Sequence, residues 1–183
     1  DITGTVLEEK SVDISEGEFI NILEQFRGDI QQIPPMYSAL KINGQKLCDL
    51  ARKGKEVERQ PRAITIHKLE CIEFSGNTAR LLVHCSKGTY IRTLCKDIGQ
   101  ALGCGGCMEA LRRVTAGEYT AQEAVPLAEL VEAAQPEMYL RGADTLFSQY
   151  PDITLTEKQE LRCRNGNLEI SMSKLLGDSR ETL

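Results

Sequence analysis

The chain predicts an α+β fold, with strands in antiparallel pairs and helices interspersed among them. Two β-branched and apolar runs, 63–74 and 78–85, are joined at Gly76-Asn77, a turn signal that reads as an antiparallel hairpin. Helical patterns lie before and after that hairpin instead of alternating with single strands, which favours α+β over a doubly wound parallel sheet. The second of these runs, Arg80 to Cys85, feeds a turn and then a helix, and junctions of that kind are common places for active sites.

Ser15-Glu16-Gly17-Glu18 is a capping box that opens a helix to about Phe26, with Gly28 as its stop. From Gln32 to Arg62 an extended Ile-Pro-Pro entry is followed by a helix near Gln45 to Lys53. After the hairpin, Lys87-Gly88 supplies the turn and Thr89 caps a helix to about Leu102. In it Ile91, Leu94, Cys95, Ile98, Ala101 and Leu102 recur at helical spacing, and Gly103 stops it. Tyr90 and Arg92 then fall in the first helical turn, displayed at the sheet end. Taken alone, the pair also fits a core tyrosine and a surface arginine. Cys107 to Gly117 predicts a strand returning after the helix. Pro126 to Ala134 predicts a short helix with Pro in its first turn, and Tyr150 to Gly166 contains another, capped by Thr156 and ended by Asn165-Gly166.

At 183 residues the chain has room for one domain and part of a second. Its 41% apolar and 27% charged content is that of a globular protein, and no run reaches the length of a membrane span. With no signal peptide visible, the expected location is the cytoplasm. The seven cysteines are odd in number and irregularly spaced, which fits reduced thiols used as small hydrophobes. Cys104-Gly105-Gly106-Cys107 has the spacing of a redox pair or half a zinc site, but it follows a helix, and Cys163, His67 and His84 form no recognisable second half. No metal site is therefore expected.

The net charge of −5 conceals a segregation along the chain. Residues 34–62 carry 7 basic and 3 acidic side chains and residues 63–120 carry 7 and 5, whereas residues 1–33 carry 2 and 8 and residues 121–183 carry 6 and 11. A nucleic-acid partner would be met by the central segments; a solvated lysine-rich loop is the plainer reading of the same charges.

Four ordered segments carry a family resemblance. They are Ile33-Pro34-Pro35-Met36-Tyr37-Ser38-Ala39-Leu40-Lys41; Gln45-Lys46-Leu47 through Leu50-Ala51-Arg52-Lys53-Gly54; His84-Cys85-Ser86-Lys87-Gly88-Thr89-Tyr90-Ile91-Arg92-Thr93; and Leu111-Arg112-Arg113. From Gln32 to Leu130 the chain resembles the catalytic domain of the bacterial tRNA pseudouridine synthase B (TruB-type) family. The resemblance implies a mixed, largely antiparallel sheet flanked by helices, and isomerisation of the T-loop uridine (position 55) of tRNA without a cofactor. It implies a catalytic part over 1–146 with an RNA-binding thumb insertion at 34–62, and the start of a small RNA-binding domain at 147–183.

For the site, the resemblance implies that Tyr90 stacks on a flipped uracil and is the candidate base for its C5 proton, that Arg92 pairs with a nucleophilic aspartate, and that Leu111 lines the base pocket. Lys41, Lys46, Arg52, Lys53, Arg112 and Arg113 become candidate RNA contacts, while Cys48 stands where the family usually has an aromatic. Tyr37 and His84 are expected to be structural. The family's aspartate lies in a Gly-x-Leu-Asp-Pro-type motif, and none of Asp29, Asp49, Asp97, Asp144, Asp152 or Asp178 has the Leu-Asp-Pro context. The expectation is a fragment without its N-terminal part and nucleophile, inactive alone, with Arg92 solvated or turned to another acceptor and an exposed sheet edge prone to self-association. The alternatives are a non-catalytic RNA-binding module on the same scaffold and a thiol or zinc protein.

Overall fold

The structure, a computed structural model, describes residues 2–6, 8–151 and 154–166. They fall into two compact units, one over Asp1–Arg113 and one over Val114–Leu183. The first opens with α1 (Glu16–Leu23), continued by a 3-10 turn at Glu24–Phe26, and runs into strand β1 (Gly28–Gln32). A small hairpin of β2 (Lys41–Ile42) and β3 (Gln45–Lys46) leads into α2 (Leu47–Arg52). Two long strands follow, β4 (Arg62–Phe74) and β5 (Ala79–Cys85), and then α3 (Ile91–Ala101). The main sheet is antiparallel with strand order β1-β4-β5.

The expected capping box is present. The backbone N–H and the hydroxyl of Ser15 both donate to the Glu18 carboxylate, and the Glu18 N–H returns a bond to the Ser15 hydroxyl. The hairpin forms where Gly76-Asn77 places it. Strand β1 is not foreshadowed by the sequence pattern. Its five residues show no clean alternation, and it exists because β4 offers Arg62 to Ile66 as a template. Beyond that stretch β4 loses its neighbour, and Leu69 would present a bare carbonyl at the edge. The Arg27 guanidinium takes it, with Nε at 3.0 Å and Nη2 at 2.7 Å.

Register shifts in β4 decide what the core contains. Strict alternation from Ile64 and Ile66 would put Lys68 inside. An irregularity between Ile66 and Lys68 moves the inward face to Leu69, and a second between Cys71 and Glu73 returns Phe74 to that side. Phe19 and Leu23 of α1, Ile64, Ile66 and Leu69 of β4, and Leu94 and Ile98 of α3 then form one buried cluster. Burying each such side chain is worth about 1.5–3 kcal/mol. This cluster is what seats the start of α3 at the sheet end.

Two boundaries differ from expectation. Residues 45–46 belong to β3, so α2 begins at Leu47, and the N-cap of α3 is Tyr90 and not Thr89, whose hydroxyl instead donates back to the Ser86 carbonyl at 2.9 Å. Of the strand expected over Cys107 to Gly117, only Thr115–Ala116 forms, in a short hairpin with Tyr119–Thr120. Residues 106–114 have no regular structure, and their described backbone ties are the Ile2 N–H to the Met108 carbonyl and the Ala121 N–H to the Val114 carbonyl. A strand needs a ladder of partners, and an apolar run by itself cannot supply one.

The second unit contains β6 (Thr115–Ala116) paired with β7 (Tyr119–Thr120), α4 (Leu127–Glu132) and α5 (Glu157–Arg164), with 3-10 turns at Pro136–Tyr139 and Ala143–Phe147. The expected helices after Pro126 and Thr156 are both there, the latter with a Thr156–Gln159 capping box. None of these helices buries a residue fully. Much of the expected segment 147–183 lies outside the described residues.

Candidate functional site

The junction of β5 and α3 is built by short polar ties. The Ser86 N–H donates to the Thr65 carbonyl at 2.8 Å, and the Thr65 N–H donates to the Ser86 hydroxyl at 2.9 Å, so the end of β5 is pinned to β4. Lys87-Gly88 turns the chain with Gly88 at φ +86°, a conformation that side-chain-bearing residues rarely adopt. Tyr90 follows as the N-cap, half-buried, with φ −101° and ψ 105°.

The Tyr90 backbone is held by a side chain from another element. Gln32, the last residue of β1, is 3% exposed. Its Oε1 accepts the Tyr90 N–H at 2.8 Å and its Nε2 donates to the Tyr90 carbonyl at 3.1 Å. That carbonyl also accepts the Leu94 N–H at 3.0 Å, the first bond of the helix. Two residues on, Arg92 donates from Nη2 to the Tyr37 carbonyl at 2.9 Å. Arg92 is thus tied to a main-chain oxygen of the Ile33 to Lys41 segment, and Tyr37 serves through its backbone while its side chain is exposed. Sequence reasoning misses Gln32. It stands at the head of a matching segment, but nothing in its neighbours marks a buried amide.

The segment after Tyr37 docks α2. The Leu47 N–H donates to the Leu40 carbonyl at 2.8 Å and the Cys48 N–H to the Ser38 carbonyl at 3.1 Å, and Leu47 is 1% exposed. Arg59 closes the far end by reaching the Pro34 carbonyl at 3.4 Å and Glu56 at 2.9 Å. Within this piece Lys41 and Lys46 are direct partners across the β2–β3 ladder, and with Gly44, Gln45, Asp49, Leu50 and Lys53 they line a shallow concavity of about 340 Å³. Like charges placed opposite each other on a hairpin repel, so this pairing suits an anion. Arg52 is drawn to Asp49 at 3.3 Å on an exposed face.

Leu111, Arg112 and Arg113 are not on a strand. They lie in the irregular segment, and Leu111 is 60% exposed and outside the buried cluster. Three of the other aspartates lie elsewhere in the first unit. Asp29 accepts the Thr65 hydroxyl at 2.7 Å, Asp49 faces Arg52, and burial pushes the Asp97 carboxyl above its ordinary value against the opposing pull of Lys96. Asp152 and Asp178 lie outside the described residues.

The Cys104 to Cys107 segment has a packing explanation. A Cβ on Gly99 would fall inside the backbone of Gly105, and one on Gly106 would crowd the Cys95 carbonyl, so this loop presses its main chain against α3. The Gly105 N–H donates to the Gly99 carbonyl at 2.9 Å. Burial first, and the neighbouring Cys107 second, push the Cys95 thiol up, which disfavours the reactive thiolate. All seven cysteines are free.

Comparison with known proteins places this geometry in context. Residues 1–91 match the family described as TruB family pseudouridylate synthase (N terminal domain), and residues 92–143 match the tRNA pseudouridylate synthase B C-terminal domain. The chain is 46% identical over 183 residues to tRNA pseudouridine synthase B of Dechloromonas aromatica, covering 98% of this chain and 61% of that protein. It is 46% identical to the same-named protein of Pseudomonas fluorescens, covering 91% and 56%. The chain therefore spans about three fifths of the length of these relatives. Among solved structures it is similar to a chain of a Cbf5-Nop10-Gar1 complex, with a TM-score of 0.56 and 29% identity over 71% of this chain and 35% of that one. It is also similar to a chain of an H/ACA RNP bound to a substrate RNA containing 2'-deoxyuridine, with a TM-score of 0.51 and 25% identity over 69% and 32%.

Proposed function

Since the chain belongs to the TruB family of pseudouridylate synthases, we propose that it is part of an enzyme that converts the T-loop uridine (position 55) of tRNA to pseudouridine. The observation that carries this reading is the junction that holds Tyr90 at the head of α3 and ties Arg92 to the Tyr37 carbonyl, because it presents an aromatic face and a guanidinium from one rigid turn.

The reaction breaks the bond from the ribose C1′ to N1 of uracil, turns the base, and joins C1′ to C5, with the proton lost from C5 matched by one gained at N1. No atom is gained or lost, so no cofactor is called for. The base has to leave its stack, at a cost of a few kcal/mol that is least in a loop. Tyr90 offsets that cost by stacking, worth about 1–3 kcal/mol. The same phenol is the candidate acceptor of the C5 proton. Arg92 orients a carboxylate nucleophile and favours its ionised form. Leu111 contributes an apolar wall to the base pocket. Lys41, Lys46, Arg52, Lys53, Arg112 and Arg113 position the T stem-loop through phosphates, with 34–62 as the thumb, 1–146 as catalytic part and 147–183 as the start of the RNA-binding domain.

No aspartate of these 183 residues stands in a Leu-Asp-Pro context, so the chain by itself is inactive. A non-catalytic RNA-binding module is the second reading, favoured by that same absence together with the lysine-lined concavity. The site of action is the cytoplasm, and no helix among the described residues is long and apolar enough to cross a membrane. The outer edges of β1 and β5, open among the described residues, make the isolated chain prone to pair with a second copy.

The test is pseudouridine formation on an unmodified T stem-loop RNA. The 183-residue chain is expected to give none, a full-length chain carrying the Leu-Asp-Pro segment to be active, and Tyr90→Ala in that chain to abolish turnover. Activity of the 183 residues alone overturns the missing-nucleophile reading. An inactive full-length chain that still binds the RNA decides for the binding module.

A further inference from the structure

We infer that Gln32 is the positioning residue for Tyr90, and that it sets the ring's direction by gripping the tyrosine's main chain and not its side chain. The inference rests on the reading of Tyr90 as the base-stacking residue.

An N-cap residue accepts the first bond of the helix at its carbonyl, here from the Leu94 N–H, but its own N–H has no intrahelical partner and its φ and ψ are not set by the helix. Tyr90 has no side-chain cap bond to restrain it. Gln32 supplies the restraint. One carboxamide, 3% exposed, accepts from the Tyr90 N–H at 2.8 Å and donates to the Tyr90 carbonyl at 3.1 Å. A planar group meeting both backbone groups of one residue fixes the peptide planes on either side of its Cα, and with them the Cα–Cβ direction along which the ring projects. Only a primary amide of this length does so. A glutamate of the same length would set a carboxylate oxygen against the Tyr90 carbonyl, an asparagine falls one methylene short, and a methionine fills the space without a polar atom able to donate.

The placement of Gln32 makes the grip mechanical. It ends β1, paired to Arg62 of β4, so the amide is mounted on the sheet. Five residues later the same segment offers the Tyr37 carbonyl to Arg92. The stretch from Gln32 to Tyr37 therefore holds both the stacking residue and the guanidinium, through a side chain in one case and a main-chain oxygen in the other. Misplacing a reacting group by about 1 Å can cost about 100-fold in rate, which is the scale on which such a grip matters.

The experiment compares Gln32→Met and Gln32→Asn in a full-length chain with unmodified T stem-loop RNA, together with amide hydrogen exchange read at Tyr90, Leu94 and Ile98. The expected result is a fall in kcat of about 10–100-fold with KM and RNA affinity near those of the parent. Exchange at the Tyr90 amide is expected to speed up at least about tenfold, while Leu94 and Ile98 stay protected. Gln32→Asn keeps a polar group in the buried site and so answers the question even if the methionine variant does not fold. Unchanged kcat, or unchanged exchange at Tyr90, in a folded variant overturns the inference. A parent chain that is inactive, or is indifferent to Tyr90→Ala, overturns the functional reading instead, and the exchange measurement then still decides whether Gln32 holds Tyr90.

Discussion

At the scale of the residue, the same substitution has opposite consequences at two glycines. Gly17 lies inside α1, and a Cβ there meets nothing within 4 Å. Gly17→Ala is therefore expected to stabilise the chain by about 0.5–1 kcal/mol, through the lower helix propensity of glycine. Gly99 lies inside α3 as well, but its Cβ would enter the Gly105 main chain. Gly99→Ala is expected to destabilise by about 1–3 kcal/mol, the range for overpacking. Denaturant unfolding of both variants checks the pair, and equal effects would refute the close approach of the 103–106 loop to α3. The contrast also bears on the cysteines that flank this loop, because Gly105 and Gly106 are accounted for by backbone packing without any thiol chemistry.

At the scale of the element, α1 and the β2–β3 hairpin depend on charge in different ways. The backbone N–H of Ser15 first, and its hydroxyl second, hold the Glu18 carboxyl below its ordinary value. A depressed carboxyl adds stability that is fully present above its unfolded value, about pH 4.3, and is lost as pH falls through the lower folded value. The capping box of α1 is thus expected to hold at neutral pH and to loosen only in acid. Glu18→Gln should flatten that part of the acid limb in thermal unfolding scans, and an unchanged pH profile would show that the box carries no stability. On the hairpin, Lys41 and Lys46 face each other and Lys53 joins them around one concavity. Changing all three to Ala should weaken RNA binding and lower its salt slope by up to about 0.9 for each phosphate no longer neutralised. Filter binding at several salt concentrations measures this, and an unaltered slope would remove these lysines from the interface.

At the scale of the whole molecule, stability and assembly turn on the three-stranded sheet. Its edges at β1 and β5 are open among the described residues, and a strand edge is a template for another chain. A domain has only about 5–15 kcal/mol of net stability to begin with. The isolated 183-residue chain is expected to self-associate at micromolar concentration or to exchange rapidly along Ala79–Cys85. Light scattering with hydrogen exchange over that strand tests both outcomes. A monodisperse monomer with strong protection there would show that the sheet is self-sufficient.

Local chemistry in the sequence is enough for the elements whose causes are local. Ser15 with Glu18 and Thr156 with Gln159 cap their helices through bonds three residues apart, Gly76-Asn77 turns a hairpin within itself, and the 3.6-residue pattern from Ile91 to Ala101 marks α3. The four matching segments likewise point to the family without any coordinates. What only the tertiary structure decided is everything set by a distant partner. Strand β1 exists because β4 templates it, the irregularities in β4 put Leu69 and not Lys68 in the core, and the Leu111 segment stays irregular where no ladder holds it. Gln32 reaches Tyr90 across 58 positions and Arg92 reaches Tyr37 across 55. Hydrogen bonds of that span leave no periodicity in the chain, because a pattern of neighbours records which face a residue turns and not what it meets there.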